Sequence, residues 1–289
     1  MLYESIQQER DTLVTSAACQ ALNMSTHAYQ HWLAQPVPKL DPLVEQIRSI
    51  VNHNRRYGYR RVVATLNPPT AEKKVNHKRV LKIMQNHGFL CKKRKAYVKT
   101  TDSNHDLPTY PNLAKGISPT GLNQLWVADI TYIHLLHGFV YLAIILDRFS
   151  RKCIGWQLSR DINAQLCIDA LNHAIANRAG MNIEGLVHHS DQGVQYASIE
   201  YTDVLNEHGI VISMSRRGNP YDNAYAESFF KTFKYEEVYL SEYASFEDAL
   251  ANIDKFIEEV YNAKRLHSAI GYQPPAEFEK ALILKKYSC

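Results

Sequence analysis

Apolar residues in the first third of the chain recur at the spacing of helices. Amphipathic stretches of this kind cover residues 16–22, 26–33, 43–50, 59–66 and 77–87. Ser25 and Asn76 are placed to cap two of these helices, and Gly88 to end one of them. The pattern predicts an all-helical region over residues 1–99. Two short helices on either side of Asn23 are compatible with a helix-turn-helix, and equally with a simple helical hairpin.

The pattern changes at residue 125, where strand-like runs begin. Three such runs, at residues 125–135, 139–146 and 152–158, predict two antiparallel hairpins. The chain then alternates between helices and strands. The helices are predicted at residues 163–178, at 198–208, from 223 onward and at 244–263, and the strands at 185–189 and 210–214. This order predicts an α/β fold of the RNase H-like type, with one mixed five-stranded sheet flanked by helices.

Prolines and glycines with little periodicity separate the two regions. They stand at positions 108, 111, 116, 119 and 121, so residues 100–123 are interpreted as a linker. The expected organisation is therefore a helical region at 1–99, a linker at 100–123 and an α/β domain with C-terminal helices at 124–289.

Composition excludes several other classes of protein. The longest apolar run has eight residues, 139–146, whereas a membrane-spanning helix needs about 20. The N-terminus is charged from its fourth residue and lacks the apolar core of a secretion signal. The five cysteines include no C-x-x-C pair, which argues against a disulfide framework or a zinc ribbon. We therefore expect a cytoplasmic protein that does not enter a membrane.

The basic residues are concentrated in one segment. Residues 46–99 contain fifteen lysines and arginines against one acid, Glu72, so this segment carries +14 and the rest of the chain −10. Lys78, Arg79 and Lys82 lie largely away from the apolar stripe of their predicted helix. This distribution favours a polyanion such as DNA as the partner. A charged helix face that meets only solvent is the alternative.

Three acidic residues stand where a sheet and a helix can bring them together. Asp129 lies within the first strand among apolar neighbours, Asp191 just past the fourth strand, and Glu227 near the start of a helix. A buried carboxylate needs a partner or a metal. Three converging carboxylates suit Mg²⁺ or Mn²⁺ rather than Zn²⁺, and two such ions can stabilise the attacking and leaving oxygens of a phosphodiester. Each acid taken alone fits a capping or surface role as well.

The residues around these acids resemble those of one family. The motifs are W-x-x-D-I-T-Y from Trp126, H-S-D-x-G-x-Q-Y from His189, and S-x-x-G-x-x-x-D-N-A-x-x-E-S-F-F from Ser215. The second and third acids are separated by 35 residues, and Y-N-x-x-R-x-H-x-x-x-G-Y-x-x-P begins at Tyr261. Together these motifs resemble the catalytic (OrfB-type) subunit of bacterial insertion-sequence transposases, which have an integrase-like D-D-35-E core.

A second group of motifs extends the resemblance towards the N-terminus. Y-G-Y-R-R at residues 57–61 and V-N-H-K-R-V at 75–80 resemble the helix-turn-helix region of the same family. They add Arg60 and Arg61 to the candidates for DNA binding. The resemblance covers about residues 40–278.

The resemblance implies a DNA transposase in which Asp129, Asp191 and Glu227 are catalytic and bind two Mg²⁺ or Mn²⁺ ions. Such an enzyme cleaves the ends of its insertion element by metal-dependent hydrolysis and joins the freed 3′-OH to target DNA. The resemblance also implies a homo-oligomer on DNA at the bacterial nucleoid, and an upstream-frame helix-turn-helix subunit or frameshift fusion. The alternatives are a non-catalytic DNA-binding regulator derived from a transposase and an RNase H-like nuclease without strand transfer.

Two lysines follow the third acid on the same predicted helix. Lys231 and Lys234 come four and seven residues after Glu227, so helical geometry puts all three on one face. The resemblance makes Lys234 the basic residue expected at that spacing. Both lysines are candidates for holding DNA, and solvated lysines are the alternative. His189 and Asn223 are further candidates for positioning the site.

Overall fold

The computed structural model describes residues 15–21, 23, 25–34, 41–90, 107–216 and 223–287. Its main helices and strands, in chain order, are α1 (Thr15–Ala21), α2 (Thr26–Ala34), α3 (Pro42–His53), α4 (Tyr59–Leu66), α5 (His77–Asn86), β1 (Leu125–His134), β2 (Phe139–Asp147), β3 (Cys153–Ser159), α6 (Ala164–Asn177), β4 (Val187–Ser190), α7 (Ile199–Glu207), β5 (Val211–Met214), α8 (Ala224–Glu236), α9 (Phe246–Lys255) and α10 (Pro275–Tyr287). The chain divides into two compact units, residues 1–49 and 50–289. No helix in the described ranges has both the length and the apolar content that crossing a membrane requires.

The first unit contains a pair of short helices. The chain turns between α1 and α2 at Asn23, whose φ of 52° is a left-handed conformation that asparagine tolerates better than most residues. The Ser25 hydroxyl accepts a hydrogen bond from the Ala28 amide at 3.4 Å, as a helix cap does. Cys19 and Tyr29 are buried. The predicted pair of helices is therefore confirmed.

A second helical pair, α4 and α5, lies near the start of the second unit. The Asn67 side chain closes the connection between them, since it donates to the Val75 carbonyl at 3.0 Å and accepts from the Val75 amide at 2.7 Å. Asn76 caps α5 by accepting from the Lys78 amide at 2.9 Å. Gly88 follows the helix with a φ of 67°. The cap and the stop stand where the sequence predicts them.

The five strands form one mixed sheet in the order β3-β2-β1-β4-β5. β1 pairs with β2, and β2 with β3, in antiparallel register. β1 and β4 are parallel, as are β4 and β5. This is the predicted RNase H-like arrangement, and it makes β1 the central strand. The strand bounds differ from the prediction by one or two residues.

Helices cover both faces of this sheet because successive side chains of a strand point to opposite sides. In β1, Leu125 and Val127 pack with residues of α8 and α9 on one face. Trp126 and Ala128 pack with residues of α6 and α7 on the other face. The central strand is therefore buried on both sides, and a polar residue within it stands next to the core.

The C-terminal part departs from the prediction in two ways. The helix predicted over 244–263 is α-helical only as far as Lys255 and continues through Phe256–Asn262 as a π-helix. The sequence pattern predicts no helix at α10, because the apolar residues of α10 do not mark its buried side. Glu279 is 4% exposed, whereas Ile283 and Leu284 are 38% and 58% exposed.

A buried ion cluster anchors α10 to the turn after β2 and to the residue that follows α6. The Glu279 carboxylate accepts hydrogen bonds from the Arg178 guanidinium at 2.9 Å and from the Ser150 hydroxyl at 2.6 Å. Asp147, at the end of β2, lies 3.7 Å from the same guanidinium, and the Lys152 ammonium lies 3.4 Å from Glu279. Each buried charge therefore has an opposite charge beside it, as burial requires.

Part of the predicted linker lies against the sheet. The Leu113 and Ala114 amides donate to the Ser213 hydroxyl at 2.9 and 3.3 Å. The Ile117 carbonyl accepts from Arg148 at 2.6 Å. These contacts concern residues 107–123, since residues 91–106 lie outside the described part of the chain. The division into regions at 99 and 124 stays a prediction.

Candidate active site

Asp129 lies in β1, and Asp191 directly follows β4, the parallel strand beside it. The pairing of β1 with β4 ends with Val127 opposite His189. If this register continues by two residues, Asp191, which follows the end of β4, stands beside Asp129. Adjacent strands are about 4.8 Å apart. The sheet therefore makes neighbours of two acids that are far apart in the sequence.

The Asp129 carboxyl is difficult to ionise in this position. Burial raises its pKa well above the usual range, and the negative charges of Asp191 and Glu227 raise that pKa further. The Ile130 amide, which donates to Oδ1 at 2.9 Å, and the positive charge of Lys234 act in the opposite direction. The site therefore has an excess of negative charge that a cation would balance.

The loop after β4 fixes the Asp191 side chain. Its Oδ1 accepts a hydrogen bond from the Gly193 amide at 3.0 Å. A Cβ on Gly193 would lie 3.0 Å from that oxygen and 3.1 Å from Oε1 of Gln195, so a side chain there would displace one of them. His189 is fixed in turn by the Ser213 hydroxyl, which lies 2.9 Å from its Nδ1. These contacts give a physical reason for the glycine and the histidine of the H-S-D-x-G motif.

Glu227 comes to the site from the first turn of α8. Its side chain is exposed, and the burial that it does have raises its pKa. Asn223 fastens this end of α8 to β1, because its Nδ2 donates to the Ala128 carbonyl oxygen at 3.2 Å. The buried Oδ1 of Asn223 has no hydrogen-bond partner among the described residues. The strand of Asp129 thus holds the helix of Glu227.

The structure places the three predicted acids near one another without closing them into a cluster. Glu227 is near enough for its charge to raise the pKa of Asp129. Within the described ranges, however, no three His, Cys, Asp or Glu side chains stand close enough to form a metal cluster. The donors present are carboxylate oxygens, which Mg²⁺ and Mn²⁺ prefer. This donor set and its excess negative charge fit a hard divalent cation.

The two predicted lysines of α8 differ in their surroundings. Lys231 is exposed. Lys234 is half-buried, and its Nζ lies 5.0 Å from the centroid of the Tyr132 ring in β1. Burial lowers the pKa of Lys234, and the negative charge of Asp129 raises it. Lys234 therefore belongs to the electrostatic surroundings of the acids, whereas Lys231 faces solvent.

The basic residues predicted to bind DNA from the helical region also fall into two groups. Four of them are exposed: Arg60, Lys78, Arg79 and Lys82. Arg61 is half-buried and donates from Nε to the Leu266 carbonyl at 2.9 Å. Burial and the positive charge of Arg265 lower the pKa of Arg61. Arg61 thus faces the C-terminal motif, and DNA binding by all five residues stays a prediction.

Several residues make contacts that the sequence pattern does not predict. Arg265 donates to Glu236 of α8 through Nε at 2.8 Å and Nη2 at 2.9 Å. Asn262 accepts from the Cys153 amide at 3.0 Å and donates to the Cys153 carbonyl at 2.9 Å. The motif that begins at Tyr261 therefore fixes α8 and β3 from behind the site. In the sequence, these residues stand out only because the motif that begins at Tyr261 resembles a family pattern.

Known families match three parts of the chain. Residues 119–220 and 208–275 match two families that are each described as an integrase core domain. Residues 39–97 match a family described as an HTH-like domain. The core matches together contain Asp129, Asp191 and Glu227.

Curated relatives are similar over most of their length. The transposase for insertion sequence element IS904 of Lactococcus lactis is 38% identical over 240 residues, which cover 82% of this chain and 93% of the relative. The insertion element IS600 uncharacterized 31 kDa protein of Shigella sonnei is 34% identical, with 91% and 97% covered. The transposase InsF for insertion sequence IS3A of Escherichia coli is 31% identical, with 96% and 98% covered.

Solved structures with some likeness include a viral intasome and the catalytic core domain of an integrase. The simian T-cell lymphotropic virus intasome, in complex with PP2A regulatory subunit B56 gamma, has a TM-score of 0.47 and 17% identity, and the match covers 81% of this chain and 74% of that one. The catalytic core domain of BIV integrase has a TM-score of 0.40 and 20% identity, with 57% and 99% covered.

Proposed function

Because the chain belongs to the family of insertion-sequence transposases with an integrase core domain, we propose that it cuts DNA strands at the ends of its own element and joins them to target DNA. The observation that carries this proposal is the placement of Asp129 in β1 and of Asp191 directly after the neighbouring strand β4, with Glu227 in the first turn of α8 near enough to raise the pKa of Asp129. The family resemblance assigns catalysis to the same three acids.

We assign the binding of Mg²⁺ or Mn²⁺ to Asp129, Asp191 and Glu227. Their carboxylate oxygens are suitable donors, and the repulsion between Asp129 and Asp191 is a charge imbalance that a cation relieves. When bound, two ions supply positive charge at the attacking and the leaving oxygen of a phosphodiester. The chain contributes the positions of the donors: Gly193 orients Asp191, and Asn223 holds the helix of Glu227.

In each of the two steps of the proposed reaction, one P–O bond forms and another P–O bond breaks. A water oxygen first attacks phosphorus at the element end and loses a proton, while the bond to the 3′ oxygen breaks and that oxygen leaves as a hydroxyl. This 3′-OH then attacks phosphorus in the target strand and displaces a 3′ oxygen there. One phosphodiester forms for each one broken in the second step. No serine or tyrosine of the chain is needed as a nucleophile.

The helical region binds the element ends in this proposal. The four exposed candidates Arg60, Lys78, Arg79 and Lys82 contact backbone phosphates. Lys231 and Lys234 hold the DNA that reaches the acids. Transposition brings two element ends together, so the proposal includes a homo-oligomer on DNA. It also includes an upstream-frame helix-turn-helix subunit or fusion. The place of action is then the bacterial cytoplasm, at the nucleoid.

A strand-transfer assay with duplexes of the matching element ends tests the proposal. The wild-type chain should join a labelled end duplex to a plasmid only when Mg²⁺ or Mn²⁺ is present. Glu227→Gln is the matched control, because this exposed position tolerates an amide without loss of the fold. If the wild-type chain binds the ends but cleaves them with neither cation, it is a DNA-binding regulator and the proposal is wrong.

A further inference from the structure

A cavity of about 150 Å³ lies on the side of α8 that faces away from the three acids. Four arginines line it, from three parts of the chain: Arg61, Arg148, Arg151 and Arg265. Tyr225 of α8 also lines it and precedes Glu227 by two residues, which puts these two side chains about 160° apart around the helix. We call this cavity the arginine pocket. Its volume is about ten times what a single water needs.

Three of the four arginines lack a carboxylate partner among the described residues. The exception is Arg265, which donates to Glu236 at 2.8 and 2.9 Å. The acid that lines the pocket, Asp147, is buried and lies 3.7 Å from Arg178 instead. The arginine pocket therefore presents three guanidinium groups without a carboxylate in ion-pair contact among the described residues, although the charge of Glu236 also raises the pKa of Arg61.

Arg148 and Arg151 are held against the same aromatic ring. Their guanidinium carbons lie 4.4 and 4.3 Å from the centroid of Tyr225. The two groups are thus at most about 9 Å apart, and their charges repel each other. The Nε of each is buried and has no hydrogen-bond partner in the part of the chain that the structure describes. Buried donors are normally satisfied, which favours a ligand with acceptor oxygens.

The backbone of Arg151 provides an independent observation. Its φ is 66°, in the left-handed region that residues other than glycine and asparagine rarely adopt. The turn between β2 and β3 holds it there, because the Asp147 carbonyl accepts from the Arg151 amide at 2.9 Å and the Asp147 carboxylate accepts from the Phe149 and Ser150 amides at 2.9 and 3.0 Å. Strained residues of this kind gather at ligand sites.

We propose that the arginine pocket binds a phosphate of the DNA backbone, as a second DNA contact beside the catalytic one. Guanidinium groups match phosphate oxygens and pair with them through two parallel hydrogen bonds. The pocket joins Arg61 of the helical region to Arg148 and Arg151 of the catalytic region. An extended anion that passes both regions suits this arrangement better than a small free one. The inference rests on the proposed function, because that function brings DNA to the chain.

Arg151→Asn tests the pocket with little disturbance to the fold, since asparagine tolerates the left-handed backbone and lacks the guanidinium. Arg160→Asn is the matched control, because it removes the same charge from a side chain that is 65% exposed and outside the pocket. The full chain is titrated with a random-sequence duplex over a range of salt concentrations. Arg151→Asn should bind about tenfold more weakly, with a salt slope smaller by about 0.9, the value of one phosphate contact. Arg160→Asn should match the wild type, and equal losses in both variants would overturn the proposal.

Thermal melts check the folding of each variant. If Arg151→Asn unfolds, Arg148→Lys replaces it in the same titration. Lysine keeps the charge but not the planar fork, so this variant should keep the salt slope and bind about threefold more weakly. An affinity equal to that of the wild type would then overturn the proposal.

A titration with inorganic phosphate distinguishes a pocket that binds a phosphate of the DNA backbone from one that binds free phosphate. At constant ionic strength, it should change the melting temperature of the wild type and of Arg151→Asn equally. If phosphate stabilises the wild type alone while both proteins bind the duplex equally, the pocket takes free phosphate and the DNA assignment is wrong. A wild-type chain that neither binds nor cleaves element ends refutes the proposed function. Normal cleavage by the wild type, with Arg151→Asn equal to Arg160→Asn, refutes the arginine pocket alone.

Discussion

The Nδ2 of Asn223 donates a hydrogen bond to the carbonyl oxygen of Ala128 at 3.2 Å. Asn223 precedes Glu227 by four residues, and Ala128 comes directly before Asp129. One hydrogen bond therefore joins the helix that carries Glu227 to the strand that carries Asp129. The two bonded residues are 95 positions apart in the chain. This bond thus helps to set the separation of two carboxylates that the backbone does not connect locally.

Replacement of Asn223 should impair catalysis more than folding. Asn223→Ala loses the bond to Ala128, so we expect about a tenfold lower cleavage rate and a higher Mn²⁺ requirement. Asn223→Asp should be worse, because a carboxylate cannot donate to a carbonyl and adds negative charge near Asp129. The measurement is the cleavage rate as a function of Mn²⁺ concentration, with thermal melts as the folding control. Lower stability with an unchanged Mn²⁺ requirement would show that Asn223 is only structural.

Amide substitutions of the three acids should abolish cleavage and leave DNA binding nearly intact. For Asp129→Asn, Asp191→Asn and Glu227→Gln we expect losses of more than about a hundredfold, since each removes a metal donor. Cleavage and end binding are measured on the same preparations. Full activity of any one variant would remove that residue from the triad.

The same variants should differ in stability when divalent cations are absent. Asp129→Asn removes a charge from a desolvated position beside Asp191, so its melting temperature should rise above that of the wild type. Glu227→Gln, at an exposed position, should melt like the wild type. Added Mn²⁺ should stabilise the wild type by mass action but not Asp129→Asn. Equal stabilisation of both by Mn²⁺ would place the ion elsewhere.

Substitution of Lys234 should weaken the binding of DNA more than the binding of Mn²⁺. Lys234→Ala should weaken binding of element ends several-fold, and Lys234→Glu more, since it sets a like charge against phosphate. Lys280→Ala, at an exposed position of α10, is the control. Mn²⁺ and DNA are titrated separately for each variant. If Mn²⁺ affinity falls instead of DNA affinity, the role of Lys234 is to offset the negative charge of Asp129, whose pKa the lysine lowers.

Glu279→Gln should destabilise the fold by roughly 3–5 kcal/mol at neutral pH, because it removes the bidentate partner of the buried Arg178 and leaves only the Asp147 carboxylate, 3.7 Å away. Although burial raises the pKa of Glu279, the hydrogen bonds and charge of Arg178 and the Ser150 hydroxyl hold it below the usual value. An acid with a lowered pKa stabilises the native state above its unfolded pKa of about 4.3, and this contribution is lost as the pH falls through the folded value. The destabilisation should therefore shrink below about pH 4.

Urea unfolding of Glu279→Gln and the wild type at several pH values measures this effect. Asp147 titrates in the opposite sense, since burial raises its pKa, so differences between the two proteins are compared rather than absolute stabilities. Lys280→Gln provides an exposed control on the same helix. A destabilisation that does not change with pH would contradict the ion-pair explanation.

Periodicity predicts the sheet because strands depend on local pattern, whereas the three acids are indicated as candidates by the motifs around them. The strands are apolar runs between turn residues, and the parallel pairing of β1 with β4, which ends at Val127 opposite His189, leaves Asp129 and Asp191 two residues further on along each chain. Periodicity fails at α10, where the buried side is marked by the charged Glu279 and the apolar Ile283 and Leu284 face outward. A pattern of apolar positions cannot reveal a helix that a buried ion pair holds in place.

Contacts between distant segments are a second feature of the fold that the sequence pattern does not predict. Arg61 bonds to Leu266, 205 positions away, and Arg148 to Tyr225, 77 positions away. Nothing in the spacing of either arginine distinguishes it from a solvated one. The charge count predicts a basic region but not the contacts of Arg61, which lines the arginine pocket.

The pairing of Arg178 with Glu279 also constrains the order in which the protein is completed. The two residues are 101 positions apart, so a ribosome releases the arginine well before its partner. Until α10 is synthesised, Arg178 lacks its bidentate acid and has only the Asp147 carboxylate, 3.7 Å away, as a charged partner. A chain cut short before Glu279 keeps this defect permanently. Assembly of the catalytic region around Arg178 thus depends on a helix whose Glu279 lies 101 positions further along the chain.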